Sequence, residues 1–334
     1  MKIKRRKYLI TGASGFIGTH VLYALLERAN EKNLVDVVSI DKKSSKYDGL
    51  TEVDGEYAPI KGGRWWNVLF ASTEYNSSPE IVADISDSSN NSEILTALKD
   101  VDTVFHLAAS PSVPKSIENP LSFNKDNVQG TLNMLELSRQ AGVRRFVFSS
   151  SSSVYGDTEV FPTPETSRLN PLSPYALQKQ IGEQYCRLYS EIYGLETVCL
   201  RYFNVYGEGM PTKGAYCNVI GAFTSAQKEG RPLKIFGDGS YRRDFTYVKD
   251  VAKANLLASV SKKVGKGECV NIGTGKSHSI KSIADIFKGE IKYESKRLEA
   301  PLSLADNNKA KKLLKGMPSV EVSNWLNENI HSRA

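Results

Sequence analysis

The sequence predicts an α/β protein built on a doubly wound parallel sheet, with a smaller C-terminal α/β domain. Two observations carry that prediction. Short apolar runs alternate with helical stretches over the first 150 residues, the pattern of βαβ units sharing one parallel sheet. A glycine-spaced loop, Thr11-Gly12-Ala13-Ser14-Gly15-Phe16-Ile17-Gly18, separates the first apolar run from the first helical one. Glycines at 12, 15 and 18 permit a tight turn, close approach to a pyrophosphate and close helix–strand packing, the mark of a Rossmann-type sheet.

The elements follow in order. YLIT (8–11) reads as a strand, residues 16–28 as a helix and VDVVSID (35–41) as a second strand. Residues 43–79 then interrupt the pattern: they are polar and Gly-rich, carry Trp65 and Trp66, and are too long for an ordinary connection. They read as a functional flap or an insertion. A third strand precedes VADISD, and VDTVFHLAAS (101–110), a helix over 127–142 and RRFVFSS (144–150) continue the alternation. Ser173-Pro174 caps and opens a helix on which Ile181, Tyr185, Leu188 and Ile192 recur at helical spacing. ETVCLRYF (196–203) is the next strand. Beyond Gly207 the segments are less regular until CVNIG (269–273), and SLADNNKAKKLL reads as a turn entering a basic helix.

At 334 residues, with 40% hydrophobic and 24% charged side chains, the composition is that of a globular chain of one large or two associated domains. No apolar run approaches the ~18 residues of a membrane span, and the basic MKIKRRK leader runs straight into a strand rather than a signal-peptide core. The net charge of +7, without any nucleic-acid module, reads as a solvated tail and an attraction for anionic small molecules. Cys186, Cys199, Cys217 and Cys269 stand alone, without metal-ligand or disulfide spacing. A reducing, cytoplasmic setting is expected and no metal.

Asp41 ends the second strand, where a carboxylate can accept both ribose hydroxyls and repel a 2′-phosphate. NAD is therefore expected over NADP, with Lys42 and Lys43 arguing the other way. Asp84 is placed either to reach the adenine edge or simply to make a turn. Tyr175 and Lys179 lie four apart on one helical face, and an ammonium beside a phenol favours the phenolate needed for proton abstraction. Tyr57 and Lys61 share that spacing, but Pro59 between them denies that copy a helix. Ser149 to Ser153 end a buried strand, and five serines are either turn filler or include a reactive contact.

TGASGFIG, HLAA (106–109), SSSSSVYG, YALQK and RYFNVYG, in this order and spread over nearly the whole chain, resemble the extended short-chain dehydrogenase/reductase family. The likeness is to its nucleotide-sugar epimerase and dehydratase branch, and most of all to UDP-N-acetylglucosamine or UDP-glucose 4-epimerases. The resemblance implies a bound NAD, a catalytic triad of Ser151, Tyr175 and Lys179, a UDP-sugar substrate and a homodimer without nucleic-acid or membrane partners. It implies cofactor contacts at Gly12, Gly15, Phe16, Ile17, Gly18, Asp41 and Asp84, then at Ile85, Leu107, Ala108, Ala109 and Asn127, besides Tyr175 and Lys179. Substrate contacts carry over to Ser112, Ser151, Ser153, Tyr175, Asn204, Arg243 and Ser303, leaving Ser149, Ser150 and Ser152 as filler. The family's downstream Arg-Pro-Gly-Asp reads Lys296-Arg297-Leu298-Glu299 here, so Lys296 or Arg297 is expected to replace its phosphate contact. Residues 1–200 with roughly 241–273 would form the NAD domain, and 201–240 with 274–330 the substrate domain.

The implied reaction is oxidation at C4 by NAD, rotation of the keto-sugar and return of the hydride to its other face. Ser152 and Ser153 stand where dehydratases carry acids, which disfavours water loss. A small Ser303 at the gate position favours UDP-GlcNAc and UDP-GalNAc, with UDP-Glc and UDP-Gal as further substrates. The alternatives are a UDP-glucuronate 4-epimerase, a nucleotide-sugar dehydratase and a non-catalytic NAD-binding Rossmann protein.

Overall fold

A computed structural model describes residues 6–32, 35–42, 80–214, 217–296, 299–316 and 318–330. The 43–79 segment, with Tyr57, Lys61, Trp65 and Trp66, and Arg297 lie outside them. The strands in chain order are β1 (Arg6–Thr11), β2 (Val35–Asp41), β3 (Glu80–Val82), β4 (Val101–His106), β5 (Arg145–Ser151) and β6 (Glu196–Tyr202). Short strands β7 (Val205–Tyr206), β8 (Leu233–Phe236), β9 (Arg242–Arg243) and β10 (Thr246–Tyr247) come next, before β11 (Lys266–Ile272), β12 (His278–Ser279) and β13 (Ile291–Glu294). The helices are α1 (Phe16–Lys32), α2 (Asn91–Leu98), α3 (Val113–Glu118), α4 (Pro120–Asn124), α5 (Gly130–Gln140) and α6 (Pro174–Tyr193). After them come α7 (Val219–Lys228), α8 (Val248–Val260), α9 (Ile280–Phe287), α10 (Asn308–Leu314) and α11 (Val322–Ile330).

Seven strands form one parallel sheet in the order β11-β6-β5-β4-β1-β2-β3. Its central strands are buried along almost their whole length, as a sheet covered on both faces requires. One face packs against α1, α8 and α10 through Val21, Leu25, Val251, Ala258, Ala310 and Leu314. The other packs against α2, α5 and α6 through Ile94, Met134, Leu135, Cys186 and Tyr189. The strand order reverses between β1 and β4, which opens a crevice at their C-terminal ends, the ligand position in such sheets. A second core gathers α7, β8, α9 and α11 around Phe223, Leu233, Ile235, Ile283, Phe287 and Leu326.

Two details depart from the sequence reading. Residues 207–268 are not irregular: α7 and α8 lie there. The buried positions of α8 include Ala252, Ala254, Asn255, Ala258 and Ser259, too small or polar to make a conspicuous apolar stripe. The helix expected over 127–142 begins with a π turn, Lys125–Gln129, before α5. All four cysteines are free thiols; Cys199 pairs in register with Cys269, and its neighbour Cys186, then burial, raise its thiol well above its ordinary value.

At the base of that crevice the loops after β1 and β4 press together. Gly12 adopts φ +73°, and a Cβ there would sit 2.6 Å from the Ala108 nitrogen; Gly142 has φ +71° and open space around it. The pair separates backbone strain from steric contact. Gly142→Ala should cost about 1–2 kcal/mol for the left-handed conformation, and Gly12→Ala about 1–3 kcal/mol more from overlap. Urea midpoints on nucleotide-stripped protein measure both, and equal midpoints would mean that the loops do not press on one another.

Candidate active site

At the nucleotide end, residues 12–15 run from the end of β1 to the first turn of α1. A Cβ at Gly18 would fall 2.0 Å from the Gly12 carbonyl oxygen, whereas one at Gly15 would meet only that oxygen, at 3.2 Å. The Gly15 side of the loop is thus open, ahead of a helix N-terminus that favours anions. The Ser14 hydroxyl is buried without a hydrogen-bond partner among the described residues. A pyrophosphate fits this cradle. Phe16 and Ile17 start α1 and pack toward the second core, while Leu107 and Ala108 anchor to Thr11: their N–H groups donate to its carbonyl at 3.1 Å and its hydroxyl at 3.2 Å. Ala109 lies in the same loop, beyond the end of β4.

Asp41 accepts the N–H of Ser14 at 3.1 Å and that of Lys42 at 2.8 Å. Asp84 is fixed as a turn: it accepts the Ser86 N–H at 2.8 Å and hydroxyl at 2.6 Å. Burial works to raise its carboxyl, but these bonds and Lys42 outweigh it and hold the group below its ordinary value. Ile85 beside it packs on Gly130. Asn127, in the π turn, spends its amide on the protein: it accepts from the Ser110 N–H at 2.8 Å and donates to the Ser110 carbonyl at 3.0 Å and to Gln178 at 2.8 Å. It clamps the loop after β4.

His106 was legible only as part of a motif, yet it organises this end. Its Nδ1 lies 2.8 Å from the Thr11 hydroxyl and its Nε2 lies 3.0 Å from the Thr131 hydroxyl, which donates to the Asn127 carbonyl at 2.7 Å. Thr131, already donating, accepts from Nε2–H, so Thr11 donates to Nδ1. The ring is neutral: burial first, then the charge of Lys179, lowers its pKa to about 3. A histidine lowered from 6.5 on folding contributes stability that is present above 6.5 and lost as pH falls toward 3, with a slope of up to ~1.4 kcal/mol per pH unit. His106→Gln should therefore show a shallower loss between pH 6 and 4 than the wild type in urea titrations. Parallel curves would show that His106 does not titrate in this way.

At the reacting centre, Ser173 caps α6 by accepting the Ala176 N–H at 3.2 Å. Tyr175, Lys179 and Glu183 follow on its buried face. The Tyr175 and Ser151 hydroxyls are hydrogen-bonded; burial raises the phenol to about 12, and the Ser151 bond opposes it. Lys179 is anchored on β5. Its ammonium donates to the Ser149 carbonyl at 2.8 Å and lies 6.0 Å from the Tyr175 ring centre, and burial brings Lys179 itself down to about 8. Tyr175 is positioned by a residue that the sequence reading passed over. The Ser116 hydroxyl accepts the Tyr175 N–H at 3.2 Å and donates to the Val113 carbonyl at 2.7 Å.

The serine run divides into separate roles. Ser151 accepts the Ser153 N–H at 3.2 Å and faces Tyr175. The buried Ser153 hydroxyl has no partner among the described residues. Ser149 and Ser150 are not filler: Ser149 lies 3.0 Å from the Tyr202 hydroxyl, and Ser150 donates to Glu183 at 2.6 Å. Glu183 forms a two-bond pair with Arg201, at 2.8 and 2.7 Å. Arg201 in turn donates to the Tyr155 hydroxyl at 2.8 Å, and Tyr155 donates to Asn271 at 2.6 Å.

The candidate substrate residues fall into two groups. Asn204 donates to the Ser303 hydroxyl at 3.2 Å and to the Asp244 carbonyl at 2.9 Å, so Asn204 and Ser303 meet. Ser112 is buried and caps α3 by accepting the Lys115 N–H at 3.3 Å. Arg243 donates to Glu299 at 2.6 Å, and Lys296 lies 5.1 Å from the Tyr241 ring centre, with Arg243 at 5.7 Å from the same ring.

A glycine cradle at the switch point, joined to a Ser–Tyr–Lys cluster at the end of β5, defines a Rossmann enzyme of the short-chain dehydrogenase/reductase kind. The chain belongs to the NAD dependent epimerase/dehydratase family, whose profile matches residues 8–273. It is 38% identical over 291 residues to a putative UDP-glucose 4-epimerase of Methanocaldococcus jannaschii, covering 87% of this chain and 84% of that one. It is 33% identical to the UDP-glucuronate 4-epimerase of Thermodesulfobacterium geofontis, over 97% of each. A solved UDP-N-acetylglucosamine 4-epimerase of Methanobrevibacter ruminantium, in complex with UDP-N-acetylmuramic acid, superposes with a TM-score of 0.81 at 32% identity, covering 99% of this chain and 100% of that one.

Proposed function

We propose that this protein is a UDP-sugar 4-epimerase whose preferred pair is UDP-GlcNAc and UDP-GalNAc, with UDP-Glc and UDP-Gal as further substrates. The observation that carries the sugar preference is the 3.2 Å contact between Asn204 and Ser303: the wall beside Asn204 is a small side chain that leaves room for an acetamido group. Bound NAD supplies the hydride acceptor and returns the hydride. Tyr175 takes the C4 hydroxyl proton and gives it back, and Ser151 holds the reacting oxygen. Lys179 holds the nicotinamide ribose, and the unpartnered Ser153 hydroxyl turns to the sugar. The C-terminal segments 201–240 and 274–330 take the nucleotide sugar, with Asn204 and Arg243 on its diphosphate. No acid stands at 152 or 153, so the keto-sugar rotates and is reduced rather than losing water. A second reading, UDP-glucuronate 4-epimerase, draws on the relative of that name and on the serine-rich turn.

We also propose a homodimer. The apolar spacing on α6 did not select its buried face: Leu188 and Ile192 are exposed, together with Leu177 on α6, Ile117 on α3 and Leu121 on α4, which is 83% exposed. These helices pack side by side and present an apolar strip that suits a second copy. Light scattering should give twice the chain mass, and Leu121→Glu with Ile192→Glu should halve it. A monomeric wild type would refute this.

Nucleotide sugars incubated with purified protein and resolved by NMR test the reading. UDP-GlcNAc and UDP-GalNAc should interconvert, and Tyr175→Phe should lower the rate by ~10²–10⁴. Ser303→Tyr should cost the acetylated pair about ten- to a hundred-fold in kcat/KM, the equivalent of ~1–3 kcal/mol of overpacking, and largely spare UDP-Glc and UDP-Gal. Equal losses on both pairs would remove Ser303 as a gate, and turnover of UDP-glucuronate alone would favour the second reading.

A further inference from the structure

Asp41 and Lys42 make opposite demands on a dinucleotide. In doubly wound sheets an acidic group at the end of the second strand selects a free ribose 2′-hydroxyl, while a cation nearby accommodates a 2′-phosphate. Both occupy the end of β2 here. We propose that Asp84 and Asp126 set the cofactor preference of this protein by holding Lys42 out of reach of a 2′-phosphate. The inference rests on the NAD dependence of the family and is independent of the sugar.

The Lys42 ammonium lies 2.5 Å from Asp126 and 3.2 Å from Asp84. Its two partners come from different parts of the fold, Asp84 from the turn after β3 and Asp126 from the π turn before α5. The lysine is therefore drawn across the crevice. Both carboxylates are braced. Asp84 accepts two hydrogen bonds from Ser86, and Asp126 accepts the Ser110 hydroxyl at 2.6 Å. Lys125 lies 3.9 Å from Asp84 and answers the same carboxylate. Among the described residues of this group, three carboxylates, those of Asp41, Asp84 and Asp126, face two ammonium groups, those of Lys42 and Lys125. A 2′-phosphate entering here meets the surplus of negative charge on these groups, and recruiting Lys42 would break its charge-assisted hydrogen bond to Asp126 and its ion pair with Asp84. Asp84 and Asp126 thus act through Lys42, as specificity-determining positions. The π turn contributes by carrying Asp126 beside Ser110.

Changing both carboxylates to amides keeps their shape and reverses the local balance of charge. The test strips bound nucleotide from the full-length protein, equilibrates it with equimolar NAD and NADP, and extracts and quantifies what is bound. The ratio cancels any loss common to both nucleotides, including loss of an adenine contact at Asp84. The wild type should hold NAD. Asp84→Asn with Asp126→Asn should raise the bound NADP-to-NAD ratio by about ten-fold or more, and adding Lys42→Ala should return it to the wild-type value. An unchanged ratio in a folded double variant overturns the proposal. So does a ratio that stays raised in the triple variant, because direct repulsion by the carboxylates would then account for the preference. If the double variant does not fold, Asp126→Asn alone should move the ratio in the same direction, and an unchanged ratio there is equally fatal.

Discussion

Arg201 and Glu183 carry opposite charges where almost no water reaches them, with side chains 4% and 2% exposed. Removing one partner from such a pair typically costs about 3–5 kcal/mol, because the other is left charged and unpaired. The pair therefore has to close, and closing it fixes much else. Glu183 ties α6 to β6 and, through Ser150, to β5. Arg201 reaches Tyr155, and Tyr155 reaches Asn271 on β11. Tyr175 and Lys179 ride on the same helix as Glu183, and Ser151 follows Ser150 on the same strand. The relative placement of the candidate triad is thus an outcome of a buried charge pair.

The sheet was legible because its strands are short, apolar and spaced by helices. The Ser173-Pro174 start of α6 was legible because a serine cap and a proline are chemically unambiguous. The glycine loop was equally plain, and the close contact at Gly12 supplies its physical reason. What the sequence hid was mostly polar and buried. On α6 the apolar positions that stand out, Leu188 and Ile192, lie outside, while Lys179, Glu183 and Gln178 lie inside. Periodicity read without function chooses the wrong face there. Small residues masked α8 for a related reason: close packing between helices needs little bulk, so the signal in side-chain hydrophobicity is weak.

The second kind of hidden information is directional. His106, Thr11, Thr131 and Asn127 are separated by up to 120 positions, yet they form one chain of hydrogen bonds running from the glycine loop to the π turn. No spacing rule reveals such a chain, because each link depends on the sheet first bringing β1, β4 and α5 together. Ser116 under the Tyr175 backbone belongs to the same class. The resemblance named residues expected to face a ligand. It said little about those that hold them still.

The five serines from 149 to 153 look interchangeable as letters, yet their surroundings give them separate addresses. Ser149 turns toward Tyr202 and α8, Ser150 toward Glu183 and α6, and Ser151 toward Tyr175. A serine gained or lost here would leave the written motif almost unaltered. It would nonetheless send each following hydroxyl to its neighbour's partner, or displace the Val154–Tyr155 turn from the strand end. In this tract length is the constrained quantity, more than any single letter.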